Sequence, residues 1–293
     1  MPAPRFIHLH NHSEYSLLDG AIRIKDLVET AKAMGMGAVA LTDHGNLFGA
    51  IPFLKAAGEA GVKPIVGMET YLTEGSIKEK SRAAGQFHND HLTLIVMNEE
   101  GYRNLIELSS IAYVEGFYYR PRVDLELLTA HSNGLVGMSG CLQGGVSRLL
   151  RADKWKEARS LAERLSSILG PGRFYLEIQN HGIPEELALI PKMTKLSAET
   201  GIPLVATNDC HYLKAEDHDS HDVLLCLQTG KDLDDPARVL RSNPETYFKT
   251  PEQMAALFPE HPHALEVTLV IAEMCDFRLG KSGTHLPRFP LPP

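Results

Sequence analysis

Several residue types that define other protein classes are scarce in this sequence. Its 293 residues include one tryptophan and four cysteines, and the cysteines, at 141, 210, 226 and 275, show no paired spacing. Cysteines this few and scattered argue against a disulfide scaffold and indicate a reducing compartment. No apolar run approaches the roughly 18 residues of a membrane span, and the N-terminus shows no charged region followed by an apolar stretch. We therefore expect a cytoplasmic protein with no membrane partner.

Positive charge is also scarce. The 29 lysines and arginines face 37 aspartates and glutamates, which gives a formal charge of −8 with the 14 histidines counted as neutral. A protein that binds nucleic acid unaided needs clustered cations for the phosphates, so this balance argues against that class. Two or three bound divalent cations would offset much of the acidity. An acidic chain rich in histidine is therefore compatible with a loaded metal centre.

Apolar segments alternate with helical patterns along the chain, which is typical of βα units in an α/β fold. A length of 293 residues suits one barrel with a tail, although an open doubly wound sheet would show the same alternation. The glycines at 61, 170 and 201 are placed to end helices. Strands are predicted near 5–12, 37–43, 63–71, 91–97, 135–139, 173–179 and 203–209. Helices are predicted near 23–34, 48–60, 99–112, 155–169 and 184–200.

Polar residues at the ends of several predicted strands favour the barrel. His12, His44 and Glu69 each stand near the point where a strand gives way to a loop, and so does the segment 209–211. Barrel enzymes collect residues from many strands at this edge, whereas an open sheet concentrates them at one crevice. From residue 213 onward the pattern is helical, and the chain ends in the proline-rich THLPRFPLPP. We predict a seven-stranded barrel with a helical C-terminal extension and an extended linker.

Two short segments place potential metal ligands side by side. In FIHLHNH, strand alternation puts His10 and His12 on one face. In NDCH, Asp209 and His211 share a face in the same way. A carboxylate buried beside an imidazole is costly without a counter-charge, and a metal ion would supply that charge.

Two further strands carry residues of the same kind. ALTDHGN places His44 at a strand end, and PIVGMETYL places Glu69 in an otherwise apolar strand, where an unpaired carboxylate would be expensive. A shared metal centre explains all these positions together. Imidazole and carboxylate ligands suit zinc, manganese or iron better than magnesium. Two such ions can activate a water and stabilise the attacking and leaving oxygens of a phosphoryl displacement, so we predict phosphate-ester hydrolysis.

Five segments, HLHNHSEYSLLDG, LTDHGNLFGA, KPIVGMETYL, GLVGMSGCL and VATNDCHY, together resemble the polymerase-and-histidinol-phosphatase (PHP) domain of bacterial DNA polymerase III alpha subunits. The resemblance spans nearly the whole chain. It includes SNPETYFKTPEQM and FPLPP, which look like the exit from that domain toward the polymerase palm. It implies a distorted seven-stranded barrel with its extension over residues 1–280, and a proline-rich linker over 281–293 toward a palm outside this sequence.

The resemblance also implies ligands for three divalent ions, with zinc or manganese expected and iron as an alternative. Asp19, His91 and Cys141 enter the ligand set on the resemblance alone. His91 precedes its apparent strand, which would suit an irregular or reversed strand in a distorted barrel. The implied ligands are His10, His12, Glu69 and Asp209 for the first ion, Glu69, His91 and Cys141 for the second, and Asp19, His44 and His211 for the third.

Three other residues are candidates for contact with a substrate. His181 follows a strand and could contact a phosphate or assist the leaving group, but stabilisation of a turn explains it equally well. Arg120 and Arg122, beside Tyr118 and Tyr119, could hold a nucleic-acid backbone and stack bases, although an exposed basic loop without that role is the alternative. The residues expected to carry catalysis are His10, His12, Glu69, Asp209 and His181.

Three functions are consistent with these residues. The resemblance favours the N-terminal domain of a replicative polymerase, with metal-dependent 3′→5′ exonuclease or phosphoesterase activity on a DNA 3′ end. The second is a structural domain whose metals stabilise the fold and whose surface docks a proofreading exonuclease subunit or the polymerase body. The third is a free-standing phosphatase such as a histidinol phosphatase. Polymerisation itself is not expected, because no carboxylate pair suited to a palm follows residue 213.

Overall fold

The computed structural model describes residues 5–80 and 89–280, so the predicted linker over 281–293 lies outside the described residues. Seven strands form the sheet within these ranges. They are β1 (Ala38–Leu41), β2 (Lys63–Thr73), β3 (Asn89–Val96), β4 (Arg122–Val123), β5 (Leu135–Met138), β6 (Phe174–Ile178) and β7 (Leu204–Ala206). The helices are α1 (Ile24–Ala33), α2 (Ala50–Ala60), α3 (Glu99–Val114), α4 (Leu125–Ala130), α5 (Gly145–Arg151), α6 (Trp155–Leu169), α7 (Pro184–Thr200), α8 (His218–Thr229), α9 (Pro251–Leu257) and α10 (Pro262–Met274).

The sheet follows the order β1-β2-β3-β5-β6-β7, with β4 paired to β2. The pairs β1/β2, β5/β6 and β6/β7 are parallel, whereas β3 is antiparallel to both of its neighbours. This reversal brings the start of β3 to the edge where the parallel strands end. Of the irregular or reversed strand suggested by the position of His91, the reversed one is therefore confirmed.

Residues 7–12 lie between β1 and the chain that follows β7. The backbone N–H of Ala40 donates to the carbonyl of His8 at 3.0 Å, and that of His12 donates to the carbonyl of Cys210 at 2.8 Å. The segment makes only an isolated bridge, so the regular strand predicted there is absent from this part of the described chain. The predicted α/β barrel is confirmed as a partial barrel, whose gap is spanned by an irregular segment.

The helices predicted between the strands are confirmed, and local sequence explains their ends. α2 and α7 stop at Gly61 and Gly201, with φ of 72° and 74°, where glycine adopts the left-handed conformation without steric cost. α6 packs against β5 and β6 through residues at the three- and four-residue spacing of an amphipathic helix. These residues are Ala158, Ala162, Leu165 and Leu169. α4 and α5 were not predicted, because six and seven residues are too few to establish a helical period.

The predicted helical extension is also confirmed, and it packs against the sheet. α10 contacts β7, and the amine of Lys63 at the start of β2 donates to the carbonyl of Ala272 at 2.7 Å. The hydroxyl of Thr268 accepts a hydrogen bond from the backbone N–H of Ile7 at 3.2 Å. α10 is thereby tied to the N-terminal segment as well as to the sheet. Within residues 5–80 and 89–280, the structure contains no helix long and apolar enough to cross a membrane.

Candidate metal centre

The nine predicted ligands come together at the edge where the parallel strands end. Because β3 is reversed, His91 near its start reaches this same edge. Asp19 lies in the loop after the N-terminal segment, and Cys141 lies in the loop after β5. The other ligands are His10 and His12 in the N-terminal segment, His44 after β1, Glu69 in β2, and Asp209 and His211 after β7.

Glu69 lies at the centre of this cluster and is fully buried. Its Oε1 is 2.8 Å from Nδ1 of His91 and 3.4 Å from Nε2 of His10. Its Oε2 is 2.6 Å from Nδ1 of His44 and 3.5 Å from Nε2 of His12. One carboxylate therefore faces four imidazoles, as a ligand shared between two cations would.

Two further carboxylates extend the cluster. Oδ1 of Asp209 is 3.0 Å from Nε2 of His12. Asp19 places its carboxylate 3.2 Å from Nε2 of His44 and 3.8 Å from Nε2 of His211. The Asp19 side chain is 24% exposed, whereas those of His12 and Glu69 are 0% exposed. The cluster is thus closed behind Glu69 and opens to solvent on the side of Asp19.

Several buried polar atoms of the cluster have no hydrogen-bond partner of acceptable geometry. They are Nε2 of His10 and of His12, Nδ1 of His44, both carboxylate oxygens of Glu69, and Oδ1 of Asp209. The short N···O separations are therefore not aligned hydrogen bonds, and buried polar atoms without partners are costly. Three triads bring their donor atoms within 4.8 Å of one another: His10, His12 and Glu69; His12, His44 and His211; and His44, Glu69 and His91. This arrangement fits divalent cations that accept nitrogen and carboxylate ligands.

The electrostatics of the cluster keep the carboxylates ionised. Burial alone would raise the pKa of Glu69, but the imidazoles around it hold that pKa well below its ordinary value. The pKa of Asp209 is lowered in the same way. Burial, followed by the neighbouring imidazoles of His44 and His211, lowers the pKa of His12 to about 3. A neutral His12 beside ionised carboxylates is ready to bind a cation, whereas the carboxylates around His10 and His44 outweigh burial and raise the pKa of both rings, so a cation would have to displace a proton there.

A buried carboxylate that the sequence patterns did not single out supports two of the ligands. Oε1 of Glu177 in β6 accepts a hydrogen bond from Nδ1 of His10 at 2.7 Å, and Oε2 accepts one from the backbone N–H of Gly140 at 3.0 Å. Glu177 thereby holds His10 in the tautomer that turns Nε2 toward the cluster, and it fixes the loop that carries Cys141. A glutamate inside the apolar FYLEI, like Glu69 in its strand, is the signal that could have revealed it.

Asp43 supports the cluster from the loop after β1. Its carboxylate accepts hydrogen bonds from the backbone N–H of Ser13 and the hydroxyl of Ser16, each at 2.7 Å. The hydroxyl of Ser16 lies 3.0 Å from Nδ1 of His12 and accepts a hydrogen bond from the backbone N–H of His44 at 3.1 Å. Asp43 therefore orients two ligands through one serine.

Cys141 and His91 meet where the loop after β5 crosses β3. Sγ of Cys141 lies 3.6 Å from Nδ1 of His91. Burial, with the nearby carboxylates, raises the pKa of the Cys141 thiol well above its ordinary value, so a cation would have to displace its proton. Gly140 has a φ of 78°, and a Cβ there would lie 2.5 Å from the carbonyl oxygen of His91. Only glycine lets the loop approach the strand this closely.

Two of the residues predicted to contact a substrate are buried and form hydrogen bonds within the protein. His181 is buried, with Nδ1 2.8 Å from Oε1 of Glu186 and Nε2 2.9 Å from the carbonyl of Asn208. Both ring nitrogens therefore stabilise the surrounding turns, which does not fit the predicted role at the leaving group. Arg122 is 0% exposed and donates to the carbonyl of Gly116 at 2.9 Å. Its guanidinium holds the loop from within, so we no longer expect Arg122 to contact nucleic acid.

Arg120, in contrast, is exposed at the rim of the cluster. Its guanidinium carbon lies 5.4 Å from the centre of the Tyr71 ring. The Tyr71 ring centre is in turn 5.3 Å from that of His91 and 6.1 Å from that of His44. Tyr71 therefore links Arg120 to the ligands His44 and His91, and contact of Arg120 with nucleic acid stays a prediction.

The chain is thus an α/β protein with a partial barrel. Imidazoles and carboxylates meet at the ends of its strands and form a candidate centre for several cations. The model of the PHP domain family matches residues 8–181, which is more than half of the chain, and the chain belongs to that family. Similar curated proteins are the DNA polymerase III alpha subunits of Treponema pallidum and Borreliella burgdorferi, each 44% identical over 98% of this chain. The subunit of Thermus aquaticus is 42% identical over 98% of this chain. The chain spans about a quarter of these relatives, 24% to 25% of their lengths.

Solved structures resemble the chain more distantly. One described as a metal-dependent phosphoesterase from Bifidobacterium adolescentis has a TM-score of 0.43 at 16% identity, covering 72% of this chain and 89% of that chain. A two-domain protein from Bacteroides vulgatus, described as containing a PHP-like phosphoesterase, has a TM-score of 0.42 at 14% identity. That match covers 87% of this chain and 65% of the other.

Proposed function

We propose that this chain is the PHP domain of a DNA polymerase III alpha subunit and hydrolyses the terminal phosphodiester of a DNA 3′ end. The observation that carries the proposal is the convergence of buried, unpaired ligand atoms around Glu69. The identity of 44% to alpha subunits over 98% of the chain supports the polymerase context. In this proposal residues 1–280 form the domain, residues 281–293 lead toward the remaining polymerase chain, and the protein works in the cytoplasm.

The proposed centre holds three divalent cations, zinc or manganese, with iron as the alternative. When bound, such cations activate a water molecule and stabilise charge on the attacking and leaving oxygens of a phosphoryl displacement. The first would be held by His10, His12, Glu69 and Asp209, the second by Glu69, His91 and Cys141, and the third by Asp19, His44 and His211.

The protein's own residues set the geometry and the direction of approach. Glu177 and the Asp43–Ser16 pair fix the ring orientation of His10 and His12 before any cation arrives. Since the cluster is closed behind Glu69, a phosphodiester would enter from the side of Asp19. Arg120 at the rim could pair with a phosphate of the flanking nucleotide.

Hydrolysis by the purified chain tests the proposal. A 5′-labelled single-stranded oligonucleotide should be shortened from its 3′ end when zinc or manganese is supplied, and EDTA should stop the reaction. Asp209→Asn keeps the shape of the side chain but removes its charge, so we expect it to abolish the activity. Asp219→Asn, which changes a fully exposed carboxylate on α8, is the matched control and should retain it. Activity that survives Asp209→Asn would overturn the proposed role of the centre.

Two alternatives give different results in the same assay. In a structural domain, whose surface docks a proofreading exonuclease subunit or the polymerase body, metals would raise the melting temperature without hydrolysis of any substrate. In a free-standing phosphatase such as a histidinol phosphatase, the chain would release inorganic phosphate from small monoesters and leave the oligonucleotide intact. A panel that combines both substrates with a thermal melt separates the three functions.

A further inference from the structure

We infer that an exposed aromatic surface beside the metal centre binds the unpaired bases of single-stranded DNA, so that single-stranded or frayed ends are the substrate class. We call this surface the aromatic rim and define it as Phe48, Tyr113, Phe117 and Arg120. The inference rests on the proposed function, because it assumes that the centre acts on DNA. It adds the part of the substrate that is recognised and the residues that recognise it.

Three large rings of the aromatic rim face water. Phe48 is 55% exposed, Tyr113 39% and Phe117 48%. The ring centres of Phe48 and Tyr113 are 6.2 Å apart, and those of Tyr113 and Phe117 are also 6.2 Å apart. The rings come from different parts of the chain, since Phe48 precedes α2 whereas Tyr113 and Phe117 lie at and beyond the end of α3. A contiguous exposed apolar patch of this kind usually marks an interaction surface.

The aromatic rim is continuous with the open side of the metal centre. Phe48 follows four residues after His44 in the same loop. At Gly45 a Cβ would lie 2.7 Å from Cγ of Pro121, so this loop packs directly on the segment that carries Arg120. Arg120 in turn lies over Tyr71, which neighbours the ligands. A strand whose terminal phosphate occupies the centre would therefore pass over the rim with its next nucleotides.

In a protein this acidic, affinity for DNA has to come from the bases more than from the phosphate backbone. A chain with a formal charge of −8 repels a polyanion at long range, so phosphate contacts alone give little affinity. Stacking on aromatic rings supplies affinity that does not depend on net charge. Bases in a duplex are already stacked on each other and cannot use the rings. Only unpaired bases can therefore stack on the exposed rings, with Arg120 pairing with one backbone phosphate.

Binding of a fluorescent single-stranded oligonucleotide, measured by anisotropy in EDTA, tests the aromatic rim without any hydrolysis. The double variant Phe48→Ala/Phe117→Ala should raise Kd by at least about tenfold, because each base–ring stack corresponds to roughly five- to hundredfold in affinity. Arg120→Ala should lower the slope of log Kd against log salt by about 0.7, the loss of one phosphate contact. An oligonucleotide with abasic 3′-terminal positions should bind the wild-type chain as weakly as the normal one binds the double variant.

Matched controls lie at the opposite edge of the sheet. Arg278 and Leu279 line a cleft with Gly37 and Lys63, next to the starts of β1 and β2. Arg278→Ala removes a charge there and Leu279→Ala an exposed apolar side chain, and neither should change DNA binding. Melting temperatures of all variants report whether each remains folded.

The outcome for the aromatic rim is separable from that of the proposed function. Unchanged oligonucleotide binding in the folded double variant, or equal affinity for blunt duplex and single strand, would overturn the inference. Either result is expected if the rim packs against another protein segment. Hydrolysis of bis(p-nitrophenyl) phosphate with manganese reports on the centre alone. The double variant should hydrolyse this small substrate as the wild type does, whereas its KM for the oligonucleotide should rise. If neither substrate is hydrolysed, the proposed function fails while the binding result still decides the rim.

Discussion

Glu177 shows at the scale of single residues how the ligands are held in advance of any cation. Its carboxylate lies behind His10 and contacts that ring on the side away from the cluster. The same carboxylate accepts a hydrogen bond from the hydroxyl of Thr207 and one from the backbone of Gly140. Because these contacts come from three parts of the chain, Glu177 couples the position of His10 to the loops after β5 and β7.

We predict that Glu177→Gln weakens metal binding without unfolding the protein. The amide keeps the size of the carboxylate but lowers the basicity of His10 and can no longer accept at both oxygens. Loss of such a supporting partner typically costs about 10- to 100-fold in metal affinity. Competition with a chromophoric chelator for zinc measures this change. Wild-type affinity in the folded variant would contradict the positioning role.

Glu186→Gln is the matched control for that experiment. Glu186 is also a buried carboxylate that contacts a histidine, at 2.8 Å from Nδ1 of His181. His181 lies outside the ligand cluster, and its other nitrogen contacts a backbone carbonyl. Because that carbonyl belongs to Asn208, next to the ligand Asp209, the substitution should affect stability and lower zinc affinity much less than Glu177→Gln does.

Side-chain exposure limits what could be predicted for individual residues. Strand alternation indicated that His10 and His12 are ligands, and the cost of burying a lone carboxylate indicated the same for Glu69. The sequence suggested that Arg122 belongs to an exposed basic loop, yet it begins β4 and its guanidinium donates to the carbonyls of Ile77 and Glu79. Those partners are far away in sequence, so no local pattern could indicate that this arginine is buried.

At the scale of elements, the direction of one strand decides whether the site is complete. An all-parallel sheet would put His91, near the start of β3, at the edge opposite the other ligands. Because β3 is antiparallel to β2 and β5, His91 lies at the same edge as the other ligands. Alternation of strands and helices predicts parallel βα units, so the reversal could be inferred only because the resemblance makes His91 a ligand although it precedes its strand. The two-residue β4 was missed, because it is too short to give a pattern.

Backbone strain in the described ranges also concentrates in the loops around the site. Non-glycine residues with positive φ there are Leu18, Tyr119, Asp153 and Asp209. Leu18 precedes the ligand Asp19, Tyr119 precedes Arg120, and Asp209 is itself a predicted ligand; Asp153, between α5 and α6, is the exception. Such conformations cost of order 1–3 kcal/mol each and persist only where surrounding contacts enforce them. These loop conformations therefore position site residues at a cost to the stability of the loops.

The loop after β5 offers a direct test of this close fit. Gly140→Ala introduces a Cβ 2.5 Å from the carbonyl oxygen of His91 at a φ of 78°. We expect both a loss of stability, of about 2 kcal/mol or more, and displacement of Cys141 from His91. Urea denaturation measures the first, and zinc affinity measures the second.

Gly172→Ala separates strain from steric clash in that experiment. Gly172 has a φ of 68°, and a Cβ there would meet nothing within 4 Å. Its substitution should cost only the backbone strain, about 1 kcal/mol, with no effect on zinc affinity. Equal losses in the two variants would mean that the approach of the loop to β3 is unimportant.

At the scale of the whole molecule, the C-terminal extension takes part in building the site. Nε2 of His221 in α8 lies 2.7 Å from the carbonyl of Asp19, and its Nδ1 lies 2.7 Å from the hydroxyl of Ser242. The loop of Asp19 is thus held by chain that lies beyond the matched range of 8–181. Asp209 and His211 also lie beyond that range. Sequence patterns predicted the extension as helical, but His221 has no ligand spacing and gave no sign of this contact.

The excess of acidic residues makes removal of the metals a test of the whole fold. Asp19, Glu69 and Asp209 crowd together in a protein of formal charge −8, and bound cations would relieve their mutual repulsion. A ligand present at a thousand times its Kd stabilises the folded state by about 4 kcal/mol, which corresponds to roughly 8–16 °C in a protein of this size. We therefore expect EDTA to lower the melting temperature by about ten degrees, and zinc or manganese in excess of the chelator to restore it.

Scanning calorimetry measures this shift in two variants. Asp209→Asn should reduce the shift, and Asp219→Asn should retain it. If neither the chelator nor added metal changes the melting temperature, the cluster is held together by its own ion pairs.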